Sequence, residues 1–425
     1  MISPQMIQRT TLNNGIRVLS EKVPGCHSVS FGVWVHNGSR HEPAELNGIS
    51  HFVEHMLFKG TDRRSAQAVA REVDSVGGLL NGFTSREYSC YFVKILAEKL
   101  PMAVDLLGDL ICHSKFDLDD IEKERRVILQ EIAMIEDSPE ESIHDQFSSS
   151  FWAGHSLGRP VIGTPEIVGH IDRQQMLDFM EQRYVGKNIC VVAAGRLDHD
   201  ELVALVQESL NGVPDSGTEL ENTAPIVTRQ VEVVNRDLEQ THICLGFEGL
   251  PQNHEDRYGT YLLNTILGGN MSSRLFQKVR EDLGLAYSVY SYHHNHSDAG
   301  AFLVYAGTSA EGAPKVTRTI LEELMRLRHE PVGHDELQSA KDYLKGGMLL
   351  SLESMDNRMT RLAKNEIFLH DVGISIEESE AMIDAVTLDL VQHLAESLFV
   401  NDTLNLQITG RVKPSDFPEV DLQIV

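Results

Sequence analysis

Hydrophobic and polar residues in the first half of the chain form patterns typical of both strands and helices. The predicted strands are 16–19, 28–35, 88–95 and 189–195, and the predicted helices run from about Asn47, over 65–76, over 100–110 and, in a long acidic helix, over 118–136. Asn47 is a plausible cap for the first helix, and Gly77-Gly78 is a fitting stop for the second.

The second half repeats this order of elements. Turn-forming and acidic residues without periodicity fill 211–225, which is typical of a linker. Beyond it the pattern predicts a strand at 241–247, a helix at 258–267, strands at 287–292 and 300–306, and then helices. We therefore expect an α+β fold of two homologous domains, each a mostly antiparallel sheet covered by helices. The predicted boundaries are 1–213 for the first domain, 214–227 for the linker and 228–425 for the second domain.

The first predicted helix carries two faces of different chemistry. Its apolar stripe consists of Ile49, Phe52, Val53, Met56 and Leu57. His51 and His55 are four residues apart and project from one face, so both imidazoles can reach one zinc ion. Glu54 lies between them and can take a proton from water at the open position of the metal. A histidine pair on a helix can also be a structural polar pair.

The acidic helix offers a third ligand. Glu124 and Glu131 share a stripe with isoleucines, and a buried carboxylate requires a compensating cation or hydrogen-bond donors. Glu131 as zinc ligand meets this requirement and leaves a fourth position for water, while Glu124 can orient a ligand from behind. The alternative is that these acids lie on a solvated, ragged helix edge. In the second half the corresponding segment, 261–265, has no metal ligands, so one zinc ion per chain is expected.

Charge and composition narrow the class of partner. The formal net charge of −26 disfavours nucleic acid and would attract basic peptides, although it also serves solubility. No stretch has the roughly 20 apolar residues of a membrane span. No secretory signal is visible, and five scattered cysteines fit buried free thiols in a reducing compartment. We therefore expect a cytoplasmic protein without a membrane span.

Taken together, these motifs resemble those of the pitrilysin-like metallopeptidases, in the branch of the mitochondrial processing peptidase and its bacterial relatives. The resemblance covers nearly the whole chain. It depends on the runs 51–61, 77–78 and 81–87, on Glu124 and Glu131, on 157–158 and 163–164, and in the second half on 268–276 and 280–287.

The resemblance implies further site residues and an assembly. Two chains would enclose a chamber, as a homodimer or with a different partner chain. Extended peptides would bind along the sheet edge formed by Asn81, Gly82, Phe83, Thr84 and Ser85. Gly82 stands where relatives often carry alanine. Arg280 and Tyr287 match an arginine/tyrosine pair that faces the zinc site and, in a homodimer, comes from the partner; both could instead be structural.

Glu141 and Asp145 match acids that, in the processing peptidases, hold an arginine two residues before the cleaved bond. Two carboxylates suit a guanidinium well, although a solvated helix face would look the same. The sequence thus predicts a zinc endopeptidase that cleaves basic, unfolded, presequence-like peptides. A non-catalytic scaffold subunit and a zinc hydrolase for other substrates remain as alternatives.

Overall fold

Two sheets organise the protein, each within its own compact unit. The computed structural model describes residues 7–218, 220, 222–369, 374–418 and 422–424. The first unit comprises Met1–Ala133, Arg159–Asn222 and Ser351–Ser375, and the second comprises Met134–Gly158, Thr223–Leu350 and Ile376–Val425. The predicted α+β class is confirmed. Glu219 and Glu221 of the predicted linker lie outside the described residues.

Strands and helices occur where the patterns predict them, with shifts of a few residues at their ends. The strands are β1 (Ile7–Thr11), β2 (Arg17–Lys22), β3 (Ser28–Val35), β4 (Leu79–Thr84), β5 (Ser89–Leu96), β6 (Ile189–Gly195), β7 (Gln230–Asn235), β8 (Thr241–Gly249), β9 (Ala286–Asn295), β10 (Gly300–Thr308) and β11 (Asn405–Gly410). The helices are α1 (Ile49–Leu57), α2 (Ala66–Asp74), α3 (Leu100–His113), α4 (Leu118–Asp137), α5 (Pro139–Phe151), α6 (Pro165–Val168), α7 (Arg173–Arg183), α8 (His199–Ser209), α9 (Arg257–Leu267), α10 (Ala313–His329), α11 (His334–Ser351), α12 (Met355–Lys364), α13 (Ile376–Ala385) and α14 (Leu388–Leu398). The described residues also form two π-helical segments, Phe276–Asp282 and Asn365–Leu369, and several short 3-10 helices.

The two sheets share one topology. The first has the order β1-β2-β6-β3-β5-β4 and the second the order β7-β11-β8-β10-β9. Apart from β1 the orders correspond strand for strand. Each sheet has one parallel pair, β2 with β6 and β7 with β11, and all its other pairs are antiparallel. The internal repeat predicted from the sequence is therefore present as a repeated, mostly antiparallel sheet.

Two segments lie in a different unit from the one to which the boundaries predicted from the sequence assign them. Met134–Gly158 contains α5, which packs on β8 and β11 within the second unit. Ser351–Ser375 contains α12, which packs on β2, β3 and β6 within the first unit. These contacts join residues that are far apart in sequence, so local periodicity does not reveal them.

Apolar packing and ion pairs both fasten α12 and the π-helical turn after it to the first sheet. Met359, Leu362 and Phe368 join the buried cluster around Trp34. Glu366, whose side chain is 3% exposed, accepts from Arg9 at 2.9 Å and Arg17 at 3.2 Å. A further ion pair joins Arg358 and Glu21, and another joins Lys94 and Asp356. The C-terminal half of the chain thus completes the core of the first unit.

No helix among the described residues is both long enough and apolar enough to cross a membrane. All five cysteines are free, and Cys90, Cys190 and Cys244 are buried while Cys26 and Cys112 are half-buried.

The Glu366 ion pairs should contribute measurably to the stability of the first unit. Glu366→Gln removes the charge that compensates Arg17, so we expect the free energy of unfolding to fall by about 2 kcal/mol. Urea unfolding monitored by fluorescence of Trp34, in a Trp152→Phe background, measures the first unit alone. Glu353→Gln, an exposed acid in the same segment, is the matched control and should change nothing. Equal midpoints for the two variants would contradict the role of these pairs.

Candidate metal centre

A close approach of two backbones fixes where α1 begins. Gly48, the residue before the helix, has φ of 97°, and a Cβ there would lie 2.7 Å from the carbonyl oxygen of Ile162. Gly163 has φ of 84°, and its Cβ would lie 2.5 Å from the carbonyl oxygen of Asn47. Both positions therefore require glycine. The predicted cap at Asn47 is wrong, because the capping position is Gly48.

Glu42 supplies the capping carboxylate that Gly48 lacks. Its oxygens accept from the amides of Gly48 and Ser50 at 2.8 Å each and from the side-chain amide of Asn47 at 2.9 Å. The side chain is fully enclosed, and burial raises the pKa of this carboxyl. A negative charge at this point satisfies free helix amides and suits the helix dipole.

Three side chains from two helices converge in the first unit. His51 and His55 lie on one face of α1 with ring centroids 4.7 Å apart. Oε2 of Glu131, on α4, lies 3.9 Å from Nε2 of His51 and 3.8 Å from Nε2 of His55. These atoms are too far apart for hydrogen bonds, whereas ligands about 2 Å from one zinc ion lie up to about 4 Å from each other. Two imidazoles and one carboxylate therefore fit zinc in both spacing and donor type.

The sequence predicts that both acids of α4 are buried, and the structure confirms this for only one of them. Glu124 is buried, but the Glu131 side chain is 43% exposed. Ile128 and Ile132 of the same stripe are buried, so the stripe itself is as predicted. Glu131 lies at its edge, where solvent reaches the cluster. An exposed third ligand leaves room for water and substrate beside it.

Glu124 links His55 to a lysine. Its Oε2 lies 3.1 Å from Nδ1 of His55, and its Oε1 lies 2.6 Å from Nζ of Lys59. If Nδ1 of His55 donates to the carboxylate, the lone pair of Nε2 is left for a metal. Lys59 balances the charge of an acid that would otherwise be costly to bury. Sequence reasoning identified Glu124 but missed Lys59, although the run 51–61 contains it.

Glu54 lies beside the cluster without being part of it. Burial raises the pKa of its carboxyl, and a hydrogen bond from Thr84 Oγ1 to Oε2, 2.6 Å long, acts in the opposite direction. Burial also lowers the pKa of His51 to about 4, with a contribution from neighbouring His55, which keeps that imidazole neutral and able to bind a metal. The Glu54 carboxylate, whose pKa is raised by burial, is thus well suited to accept a proton.

The candidate substrate strand β4 is at the edge of the first sheet, and among the described strands only β5 pairs with it. Its residues alternate between two faces. The ring of Phe58 lies 3.0 Å from where a Cβ of Gly82 would be, and Thr84 contacts Glu54, so these two residues face α1. Phe83 packs on Trp34 on the other face, with ring centroids 5.6 Å apart. Asn81 accepts from the amide of Gly82 through its own side chain.

The remaining predicted site residues lie in the second unit. The Arg280 guanidinium carbon is 4.8 Å from the centre of the Tyr287 ring, so the two side chains stack. Tyr287 is 80% exposed, which is unusual for a large aromatic residue. Glu141 and Asp145 lie one helical turn apart on α5. The pairs predicted from the sequence are therefore spatial neighbours within this unit.

The second unit has no comparable metal cluster among its described residues. Across the part of the chain that the structure describes, only His51, His55 and Glu131 bring three potential ligand atoms together. Helix α9 occupies the position that α1 has in the first unit, and there Tyr261 stacks on His293 with centroids 4.7 Å apart. Aromatic packing thus fills the helix face that carries histidines in α1.

Two family descriptions together cover most of the chain. Residues 17–165 match insulinase (peptidase family M16), and residues 170–344 match the peptidase M16 inactive domain. The uncharacterized zinc protease YmxG of Bacillus subtilis is 41% identical over 397 residues, spanning 93% of this chain and 97% of that protein.

Solved structures share the fold over nearly the full length. A protease from Helicobacter pylori has a TM-score of 0.88 at 21% identity, with 95% of this chain and 99% of that chain covered. The structure described as a peptidase M16 inactive domain from Pseudomonas fluorescens has a TM-score of 0.89 at 18% identity, with 96% and 100% covered. At these identities the likeness shows the fold alone.

The ligand set predicts one zinc ion per chain that depends on Glu131. Glu131→Gln replaces an anionic ligand with a neutral amide, so zinc affinity should fall by at least about tenfold. Competition with a chromophoric chelator measures the affinity, and elemental analysis measures the stoichiometry. The control is Glu136→Gln, an exposed acid on the same helix, which should bind zinc as the wild type does. Unchanged affinity in the Glu131 variant would remove Glu131 from the ligand set.

Proposed function

The chain belongs to peptidase family M16, and on that premise we propose that it is a zinc-dependent endopeptidase for extended, unfolded peptides. The observation that carries the proposal is the convergence of His51, His55 and Glu131 beside a buried Glu54. Two histidines and one carboxylate leave a coordination position open, as catalytic zinc sites do and structural ones do not.

The chemistry divides between the metal and the side chains. Zinc, when bound, supplies a Lewis acid that polarises water and the peptide carbonyl. Glu54 accepts a proton from the attacking water and later gives one to the amine that leaves as the C–N bond breaks. Arg280 and Tyr287 donate hydrogen bonds to the oxyanion that develops on the substrate carbonyl. Their stacking supports this role because it orients both donors together.

The position of β4 at the edge of the sheet supports an endopeptidase over a hydrolase of small esters. An edge strand offers backbone groups to an extended peptide, and such pairing is independent of side-chain sequence. Asn81, Gly82, Phe83, Thr84 and Ser85 are the proposed binding segment. Gly82 lets the strand lie close to Phe58, since a larger side chain at this position would contact the ring.

The preference for basic peptides is supported by charge at two scales. The net charge of −26 attracts cations over a distance, which raises association rates at low salt. Glu141 and Asp145 on α5 form the proposed pocket for an arginine near the cleaved bond, because paired carboxylates match a guanidinium.

We propose a homodimer in the cytoplasm as the working assembly, with each subunit supplying Arg280 and Tyr287 to the partner's zinc site. The rival role is a scaffold subunit without activity. The complete set of ligands and base disfavours it, since a scaffold has no need for a buried, proton-accepting Glu54.

Glu54→Gln separates metal binding from catalysis. The amide cannot accept the proton, so kcat for a dye-quenched basic peptide should fall at least about 100-fold while zinc binding is kept. Steady-state kinetics and elemental analysis of the same sample measure both. Glu45→Gln, an exposed acid shortly before α1, is the control and should be fully active. Full activity in the Glu54 variant would exclude it as the base.

Mixing two inactive variants tests the shared site. In a randomly mixed dimer of Glu54→Gln and Tyr287→Phe chains, half the molecules contain one site with both wild-type residues, so about a quarter of wild-type activity should return. The mixture is made by co-expressing differently tagged chains. A quarter is the expectation for the random mixture, whereas purification through both tags keeps the mixed dimers alone and should raise the recovered activity to about half of the wild-type value. Absence of any gain over the separate variants would show that the site is completed within one chain.

A further inference from the structure

We infer that Thr84 is a positioning residue for the catalytic base: its hydroxyl holds one oxygen of Glu54 and leaves the other for the attacking water. The inference deepens the proposed function and rests on it. It goes beyond the peptide-binding role of the strand, because it assigns Thr84 a task that concerns the base and not the substrate.

The contact is specific in direction and in strength. Thr84 Oγ1 lies 2.6 Å from Oε2 of Glu54, and a hydroxyl facing a carboxylate must be the donor. Hydrogen bonds to charged groups are short and strong. Among the described residues, no other side chain donates a hydrogen bond to the Glu54 carboxylate. Oε1 therefore has freedom to face the metal's open side.

The hydroxyl is held firmly because Thr84 ends a strand whose neighbours are fixed. Thr84 pairs with Ser89 on β5, and the Ser89 hydroxyl lies 3.4 Å from Thr84 Oγ1. The turn that follows is closed by the Ser85 amide, which donates to the Tyr88 carbonyl at 2.8 Å. A donor on such a rigid element can restrict the rotamer of the carboxylate it binds.

A second segment of the chain, at Ser39 and Arg40, forms hydrogen bonds with the turn that follows β4. The amide of Ser39 donates to the carbonyl of Ser85 at 3.1 Å, and the amide of Arg40 donates to that of Arg86 at 2.8 Å. Arg40 and Glu87 form an ion pair at 2.8 Å in which both side chains are almost fully buried. The end of β4 is therefore tied to a second segment at several points, and the Thr84 hydroxyl is positioned with it.

Strand periodicity explains why Thr84 and not a neighbour makes this contact. Residues two apart on β4 face the same side, so Gly82 meets Phe58 and Thr84 meets Glu54, both on or just after α1. Phe83 between them faces the opposite side of the sheet. The strand proposed to bind the peptide backbone thus also holds the base, which fixes base and substrate to one rigid reference.

The test compares Thr84→Val with Thr84→Ser. Valine keeps the shape and strand propensity but removes the donor, so kcat should fall by about 10- to 100-fold with KM and zinc stoichiometry unchanged. Serine keeps the hydroxyl and should restore most of kcat, which a merely structural role of the threonine methyl would not allow. The probe is the dye-quenched basic peptide that zinc-loaded wild type cleaves.

Thr11→Val is the matched control, since Thr11 is the exposed last residue of the other edge strand in the same sheet. It should match the wild type in kcat, KM and zinc content. A higher KM at unchanged kcat in Thr84→Val, or loss of zinc, would overturn the inference by assigning Thr84 to peptide binding or to the metal.

The two proposals fail in different ways. Absence of cleavage by the zinc-loaded wild type would overturn the proposed function and this inference with it. Wild-type kcat in Thr84→Val beside an active wild type would overturn the inference alone.

Discussion

The buried carboxylate of Glu42 is the constraint on which the site depends. It replaces a conventional cap at the start of α1 and ties the Gly48 amide, the Ser50 amide and Asn47 to one point. The helix has only nine residues, a length of about 13 Å. A displacement of its first turn would therefore move His51 and Glu54 by about the same distance as the turn itself. Gly48 and Gly163 provide the steric side of the same constraint, because no side chain fits between the two backbones.

Each functional side chain of α1 is then held by a different element. Glu131 and Glu124 reach the histidines from α4, while Thr84 reaches Glu54 from β4. The site is therefore an intersection of three elements, and no single segment of the chain contains it. Lys59 offsets one of the acids gathered there, which lowers the cost of burying charge before any metal binds.

Much of the fold could be predicted from local periodicity, whereas the contacts that hold the site could not. The stripe on α1 and most strands of the two sheets follow from spacing, and His51 and His55 are recognisable for the same reason. The strands β1, β7 and β11 were not predicted. The Gly48 cap was missed because its acceptor is Glu42, six residues earlier and outside the helix. The partners Thr84 and Lys59 lie in recognised runs, but only the tertiary structure shows which groups they contact.

The placement of Met134–Gly158 and Ser351–Ser375 in their units had no local signal either. Glu366 pairs with residues about 350 positions away, and such distances leave no period in the sequence.

The repeated topology shows that one fold can present two chemically different helix faces. Both sheets have the same strand order, so each unit presents a helix and an edge strand in corresponding positions. In the first unit the helix face is polar, and its two histidines converge with Glu131. In the second, Tyr261 of α9 packs flat on His293, and Leu262 and Leu263 are buried. This helix face therefore packs within its own unit. Tyr287, at the start of β9, is exposed and lies outside the core of the second unit. A side chain outside the core can be used for chemistry, which is the role we propose for Tyr287, so two units that share a fold can carry different sites.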